Sequence, residues 1–309
     1  MQNPTHINRR TALKDAAAFV GASCFASAFA SVANANDLER KRLLFFTKSA
    51  GFQHSVVTRD GTELAYAERI MMELGKKHNL DVHCSKDGRI FDKDYEQFDG
   101  YFFFTTLDLT TVGTDGQPAM SVQGKRNFLE SISNGKGFAG SHSASDTFHT
   151  EGEAFKNQST LDPYIQMIGG EFIRHGRQQE ATMKIVSDSF PGLPKTNGKT
   201  IDPSFRLNDE WYSLKNFAKD MHVILVQDTE GMQDDDYKRP IYPATWARSH
   251  GKGRVFYTSM GHREDVWPNP LFESILMGGL NWTLGRMKAE IPSNLEATCP
   301  GAFTLPVLS

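Results

Sequence analysis

A chain of 309 residues with 39% hydrophobic content can bury one large core or two small ones. Its 34 basic and 37 acidic side chains leave a formal net charge of -3 with no basic block beyond the extreme N-terminus, which argues against nucleic acid or an anionic membrane as the partner. Cys24, Cys84 and Cys299 are too few for a disulfide scaffold, and no Cys-x-x-Cys spacing offers a thiolate metal site.

The chain opens with Asn8-Arg9-Arg10-Thr11-Ala12-Leu13-Lys14, a small and apolar run over 16–33, and Ala33-Asn34-Ala35, which has the A-x-A form of a signal-peptidase site. Residues 1–35 therefore read as a twin-arginine (Tat) signal peptide, followed by an α/β domain over 36–290 and a coil tail over 291–309. The apolar run is alanine-rich and broken by Ser and Gly, weak for a full membrane span, so no transmembrane helix is expected in the mature chain. Gly21-Ala22-Ser23-Cys24 lacks the large aliphatic residue that would precede a lipid-modified cysteine. The expected location is the periplasm or another exported compartment. Proteins using this route cross folded, often with a cofactor bound, which directs attention to a metal. Cys84 and Cys299 survive processing and could form one disulfide tying the tail to the sheet.

From there the chain alternates. Residues 42–47 form a strand candidate, and the loop Lys48-Ser49-Ala50-Gly51-Phe52-Gln53-His54-Ser55 leads to a helix over 59–78 whose Leu64, Ala67, Ile70, Met71 and Leu74 share one face. Strands follow at 81–85 and 101–105, then a helix over 121–134 that Gly135 ends. Residues 137–140 are a short buried strand that breaks at once into Ser141, His142, Ser143, Ser145, Asp146 and His149. Beyond it come a helix over 161–168, strands over 181–186, 221–227, 244–248 and 254–259, a hairpin turn at Gly251-Lys252-Gly253, and a last helix over 269–284. This pattern predicts a doubly wound, mostly parallel sheet covered by helices, with an antiparallel excursion in the second half, between about residues 171 and 257.

Ligands bind at the C-terminal ends of strands in such sheets. The break after 137–140 lies there, and His54, His175, Glu210, His262 and Glu264 likewise stand where a strand pattern gives way to a loop. Two chemistries suit them together. Imidazoles and carboxylates bind zinc or a similar divalent ion, for which His54, His142, His175 and His262 are the candidate ligands. Alternatively a histidine paired with Asp146, Glu210 or Glu264 performs metal-free acid and base catalysis. Nucleophilic catalysis is the weakest reading, since no cysteine lies near the motif and no Gly-x-Ser-x-Gly elbow surrounds Ser141 or Ser143. The expected catalytic set is His142, Asp146, His262 and Glu210, without a division between ligand and base. Trp211, Tyr212 and Trp267 lie beside these residues and could stack on sugar rings, which keeps open a non-catalytic carbohydrate-binding or assembly module.

Five ordered motifs, T-K-S-A-G-F-Q-H (47–54), G-F-A-G-S-H-S-A-S-D (137–146), G-G-E-F-I-R-H (169–175), D-E-W-Y (209–212) and G-K-G-R-V-F-Y-T-S-M-G-H (251–262), resemble the trehalose-utilisation, or ThuA-like, family across 42–284. The resemblance implies a flavodoxin-like fold of the class I glutamine-amidotransferase type. In that superfamily the turn after the central strand carries a nucleophilic cysteine; here it offers Ser141-His142-Ser143, so the glutaminase activity does not carry over, although His262-x-Glu264 keeps the His-x-Glu form. The family is linked to disaccharide catabolism and to dehydrogenases that oxidise sugars to 3-keto forms. That link implies a carbohydrate substrate, with a sugar 3-dehydrogenase acting upstream, and metal-assisted cleavage of a 3-keto glycoside by a lyase or hydrolase. A C3 ketone acidifies the C2 proton, a base removes it, and the enediolate expels the C1 substituent. Two-carboxylate glycoside hydrolysis is the competitor, but the sequence offers no special acid pair.

The export reading is tested by replacing Arg9 and Arg10 with lysine and fractionating cells. The precursor should accumulate in the cytoplasm; unchanged export would rule the twin-arginine route out.

Overall fold

The computed structural model describes residues 38–196, 199–200 and 204–307; the expected signal peptide, residues 1–35, lies outside the described residues. Strand β1 (Lys41–Phe46) pairs in parallel with β2 (Leu80–Ser85) and β3 (Gly100–Phe103), and β4 (Gly137–Ser141) lies between β3 and β13 (Gly253–Thr258), parallel to both. Leu43, Leu44, Phe45 and Phe46 are all fully buried, the pattern of a parallel strand covered on both faces. At β13 the sheet changes sense. It continues antiparallel through β12 (Tyr242–His250), β11 (His222–Asp228), β6 (Gln179–Ile185) and β9 (Ser204–Asp209), in the order β2-β1-β3-β4-β13-β12-β11-β6-β9. This is the doubly wound sheet that the sequence predicts, parallel in its first half and antiparallel in its second.

Helices cover both faces. Leu43 and Phe45 point into a cluster with Met71 and Leu74 of α1 (Tyr66–Lys77) and with Ile275, Leu276 and Leu280 of α5 (Pro270–Thr283). Leu44 and Phe46 point into a second cluster with Phe91 of α2 (Ile90–Lys93), Phe128 and Ile132 of α3 (Val122–Ser133), and Tyr164 and Ile168 of α4 (Pro163–Ile168). Period-two alternation along one strand thus supplies both cores. Outside the main sheet, β5 (Glu171–His175) pairs antiparallel with β10 (Tyr212–Lys215), and β7 (Lys195–Thr196) with β8 (Lys199–Thr200). A helical turn, α6 (Leu295–Thr298), interrupts the tail, where Asn294 donates to Val223 O and accepts from Val223 N–H.

The structure corrects one helix boundary. The apolar spacing predicts a helix from 59, yet α1 begins at Tyr66. Asp60-Gly61-Thr62 makes a turn, with Gly61 at φ +55°, and Glu68 reaches back to the Ala65 N–H at 2.9 Å while holding Arg59 at 2.8 Å, so the helix is closed there. Cys84 and Cys299, which the sequence allows as a pair, are both free thiols, and they belong to clusters on opposite faces of the sheet. Among the described residues no helix is long and apolar enough to cross a membrane.

Phe128 is the keystone of the second cluster, stacked on Phe103 at 4.8 Å and edge-on to Phe91 at 5.3 Å. Phe128→Ala should cost about 3–5 kcal/mol, read as a lower urea midpoint with unchanged slope. A loss below about 1 kcal/mol would show that this face repacks freely.

Candidate metal centre

The parallel strands deliver their loops to one end of the sheet. His54 lies in the loop after β1, His142 directly after β4, and His262 after β13, while Glu210 occupies the link between β9 and β10. One ligand atom from each of His54, His142, Glu210 and His262 falls within 4.8 Å of all the others. His142 Nε2 is 3.5 Å from Glu210 Oε2, His262 Nδ1 is 3.1 Å from the same oxygen, and the two nitrogens are 3.2 Å apart. A tetrahedral zinc with bonds of about 2.0–2.1 Å has ligands separated by about 3.4 Å, so this triangle has the size of one tetrahedral face.

The backbone at two of these tips is unusual. His142 has φ +45°, a left-handed conformation that few side chains adopt. It is held by Tyr257, whose hydroxyl donates to His142 O at 2.8 Å, and by Ser145, which donates to the same oxygen at 3.2 Å. Gly261 has φ +117°, and a Cβ there would meet Ser141 Oγ at 2.8 Å, so glycine is needed to swing His262 over the β4 tip. Asp209 completes the frame. Its carboxylate accepts the backbone N–H groups of Gly261 at 2.7 Å, Glu210 at 3.0 Å and Arg263 at 3.1 Å, which fixes Glu210 against His262.

Electrostatics prepare the donors. Burial, reinforced by the neighbouring imidazoles of His142 and His262, lowers the pKa of His54 to about 2. Burial likewise lowers His142 to about 4, against the opposing pull of Glu210. Both imidazoles are therefore neutral near pH 7, the form that binds metal. Burial alone would raise Glu210, but the imidazoles of His142 and His262, 3.5 and 3.1 Å from its carboxylate, outweigh that and hold it well below the usual carboxylate range. His142 Nδ1 donates to Ser259 O at 3.1 Å, which leaves Nε2 as the inward lone pair, the outer bond typical of a metal-ligating histidine. His54 Nδ1 is buried with no hydrogen-bond partner among the described residues. An orphaned buried nitrogen near the neutral imidazole of His142 and the ionised carboxylate of Glu210 fits a divalent cation, and this cluster could hold one.

The other sequence candidates sit around the cluster. His175, at the end of β5, is 43% exposed at its side chain; Nδ1 is 2.9 Å from Gly176 O and 3.4 Å from Glu210 Oε1, so it touches the carboxylate from outside. Asp146 is bonded to His149 at 2.7 Å, and Glu264 accepts from the Ser55 hydroxyl. Trp211, Tyr212 and Trp267 are 0%, 3% and 1% exposed: they pack in the core and offer no face to a sugar. Gln178, whose side-chain amide lies 2.9 Å from His262 Nε2 and also meets Arg263 at 2.8 Å, carries no sequence signal of a role.

The trehalose-utilisation (ThuA) family model matches residues 42–283, and the chain belongs to that family. Its fold is similar to that of a ThuA-like protein from Bacteroides uniformis ATCC 8492, at 16% identity and a TM-score of 0.56 over 82% of this chain and 94% of that one. A ThuA-like protein from Parabacteroides merdae ATCC 43184 is similar at 18% identity and a TM-score of 0.53, over 88% and 98% of the two chains. No functionally curated protein matches.

Beside the cluster, His149 gives a measurable pH dependence. Burial works against its charge, but the hydrogen bonds to Asp146 and Glu171 prevail and raise its pKa to about 9. The folded value exceeds the unfolded one of about 6.5, so the stability it contributes is full below pH ~6.5 and fades as pH rises through about 9. Thermal melting from about pH 6.5 to about 9.5 should show this slope in the wild type and not in His149→Gln. Parallel profiles would mean that the pair adds nothing.

Proposed function

We propose that this member of the trehalose-utilisation family cleaves an oxidised, 3-keto glycoside or disaccharide, with a divalent metal at the strand tips. The observation that carries the reading is the convergence of His54, His142, Glu210 and His262 within 4.8 Å, with His175 standing just outside them. The first four would hold the ion, which would supply Lewis-acid stabilisation for negative charge on adjacent sugar oxygens.

The rest falls to the protein. His175 Nδ1 is occupied by the Gly176 carbonyl, so Nε2 is the free basic nitrogen, on a side chain open to solvent. In this reading it takes the C2 proton that the C3 ketone has acidified; the C–H electron pair forms the C2–C3 double bond of the enediolate. Collapse of the enediolate breaks the C1–O bond, and the departing alkoxide takes up a proton, which His175 would return. Water added across the resulting enone completes a net hydrolysis. The 3-keto substrate would come from a sugar 3-dehydrogenase acting upstream. Arg9-Arg10 and Ala33-Asn34-Ala35 support a mature enzyme that works after export to the periplasm.

After removal of metal by chelation, the protein should bind about one equivalent of zinc by calorimetry, and His142→Ala should bind none. With metal restored, the wild type should cleave 3-keto-trehalose, whereas His142→Ala and His175→Ala should each lose at least about 100-fold, the size of a lost acid–base group. If the metal-replete wild type leaves 3-keto-trehalose intact, the cleavage reading fails and a carbohydrate-binding module becomes the better one.

A further inference from the structure

A cluster that handles a sugar needs a surface that grips its ring, and the buried tryptophans cannot supply it. Phe52 can. It is 70% exposed although it stands two residues before buried His54, and its ring meets the His54 ring edge-on at 4.9 Å. Leu107, 41% exposed, comes from the loop after β3 and covers the same backbone: a Cβ on Gly51 would lie 2.4 Å from Leu107 Cδ1.

Neither side chain is loosely presented. Ala50 N–H donates to Thr106 O at 3.1 Å, Gly51 N–H to Thr106 Oγ1 at 3.1 Å, and Thr106 Oγ1 to Phe52 O at 3.1 Å. Leu107 N–H donates to Asp146 O at 2.7 Å, and Leu107 O accepts from Phe148 N–H at 3.3 Å. Leu107 is held at φ +54°, a conformation unfavourable for leucine that persists only where its surroundings impose it. Two loops thus fix an apolar pair in water at the edge of a polar cluster. Scattered exposed side chains are ordinary, but strain and backbone anchoring applied to two apolar side chains, one next to Gly51 in sequence and the other packed over it, beside a candidate site call for a ligand with an apolar face.

We propose that Phe52 and Leu107 form a ledge that takes the C–H face of a pyranose ring and sets the sugar requirement of the site. The proposal rests on the carbohydrate reading above and extends it to residues outside the cluster. A pyranose carries C–H bonds on its faces and hydroxyls around its rim. Laid on an aromatic ring and a leucine it gains dispersion and C–H contacts, while the rim stays free for the polar groups on the His54 side.

Trehalose itself is the probe, measured by calorimetry and by saturation-transfer NMR, alongside KM for 3-keto-trehalose. Phe52→Ala should weaken trehalose binding about fivefold or more, and Phe52→Trp should restore it. Leu107→Asn, which tolerates a left-handed backbone, should weaken binding by a similar factor without touching His54. Melting temperatures should be unchanged by the Phe52 variants, since the side chain is exposed. Trehalose binding that depends on Phe52, with no turnover of 3-keto-trehalose, would keep the ledge and remove the cleavage reading. Turnover with wild-type KM in both Phe52→Ala and Leu107→Asn would remove the ledge and keep the cleavage reading. A wild type that binds no sugar overturns the ledge as well.

Discussion

One buried carboxylate closes this structure. Asp209 ends β9, the outermost strand of the antiparallel half, and accepts N–H groups from Gly261 and Arg263 in the loop after β13. In a flat sheet those strands, four places apart, would be separated by about 19 Å. Contact at 2.7 Å requires the antiparallel half to roll back over the tips of the parallel half. The register shifts of β11 against β12 show where the ladder bends, since irregular pairing increases local twist. The roll turns an open row of strand tips into an enclosed site, and it brings Glu210 to histidines from the other half of the sheet.

The loop after β1 is braced in a comparable way. Lys48 and Lys86, both buried, lie 3.6 and 3.8 Å from the Asp115 carboxylate, which also accepts Ser49 N–H at 2.8 Å. Lys48 donates further to Gln117 O at 2.7 Å. Two buried ammonium groups on one carboxylate are costly, and burial pushes the Lys86 pKa down to about 8. The cluster ties down the start of the segment that presents Phe52 and His54, a stretch that reads as loop.

The parallel half was legible in sequence because double burial writes itself as unbroken apolar runs, as in Leu43-Leu44-Phe45-Phe46 and Gly137-Phe138-Ala139-Gly140. Polar residues that end such runs then stand out, which is why His54, His142 and His262 could be named together. The segment Ser204-Phe205-Arg206-Leu207-Asn208-Asp209 has no such run: it is an edge strand, half exposed, and did not announce itself as β9. Glu210 stood in the sequence as one of three carboxylates that could join His142, beside Asp146 and Glu264, and only the roll of the sheet singles it out. Asp146 and His175 had the same sequence appearance, yet one turns to His149 and the other to the rim of Glu210. Nothing in residue type or spacing separates those outcomes. Aromatic residues mislead for a related reason: Trp211 and Trp267 flank the motifs because large rings fill the space beneath the site, whereas Phe52 is left in water.

The two free thiols among the described residues bear on how the molecule is made. Cys84 and Cys299 lie in clusters on opposite faces of a nine-stranded sheet, so they cannot meet without dismantling it. No covalent step is needed from either of them to reach the native state. Among the described residues, then, folding asks for no pairing of these two thiols by an oxidase or a disulfide isomerase, and later exposure to oxidants gives the pair no crosslink to form.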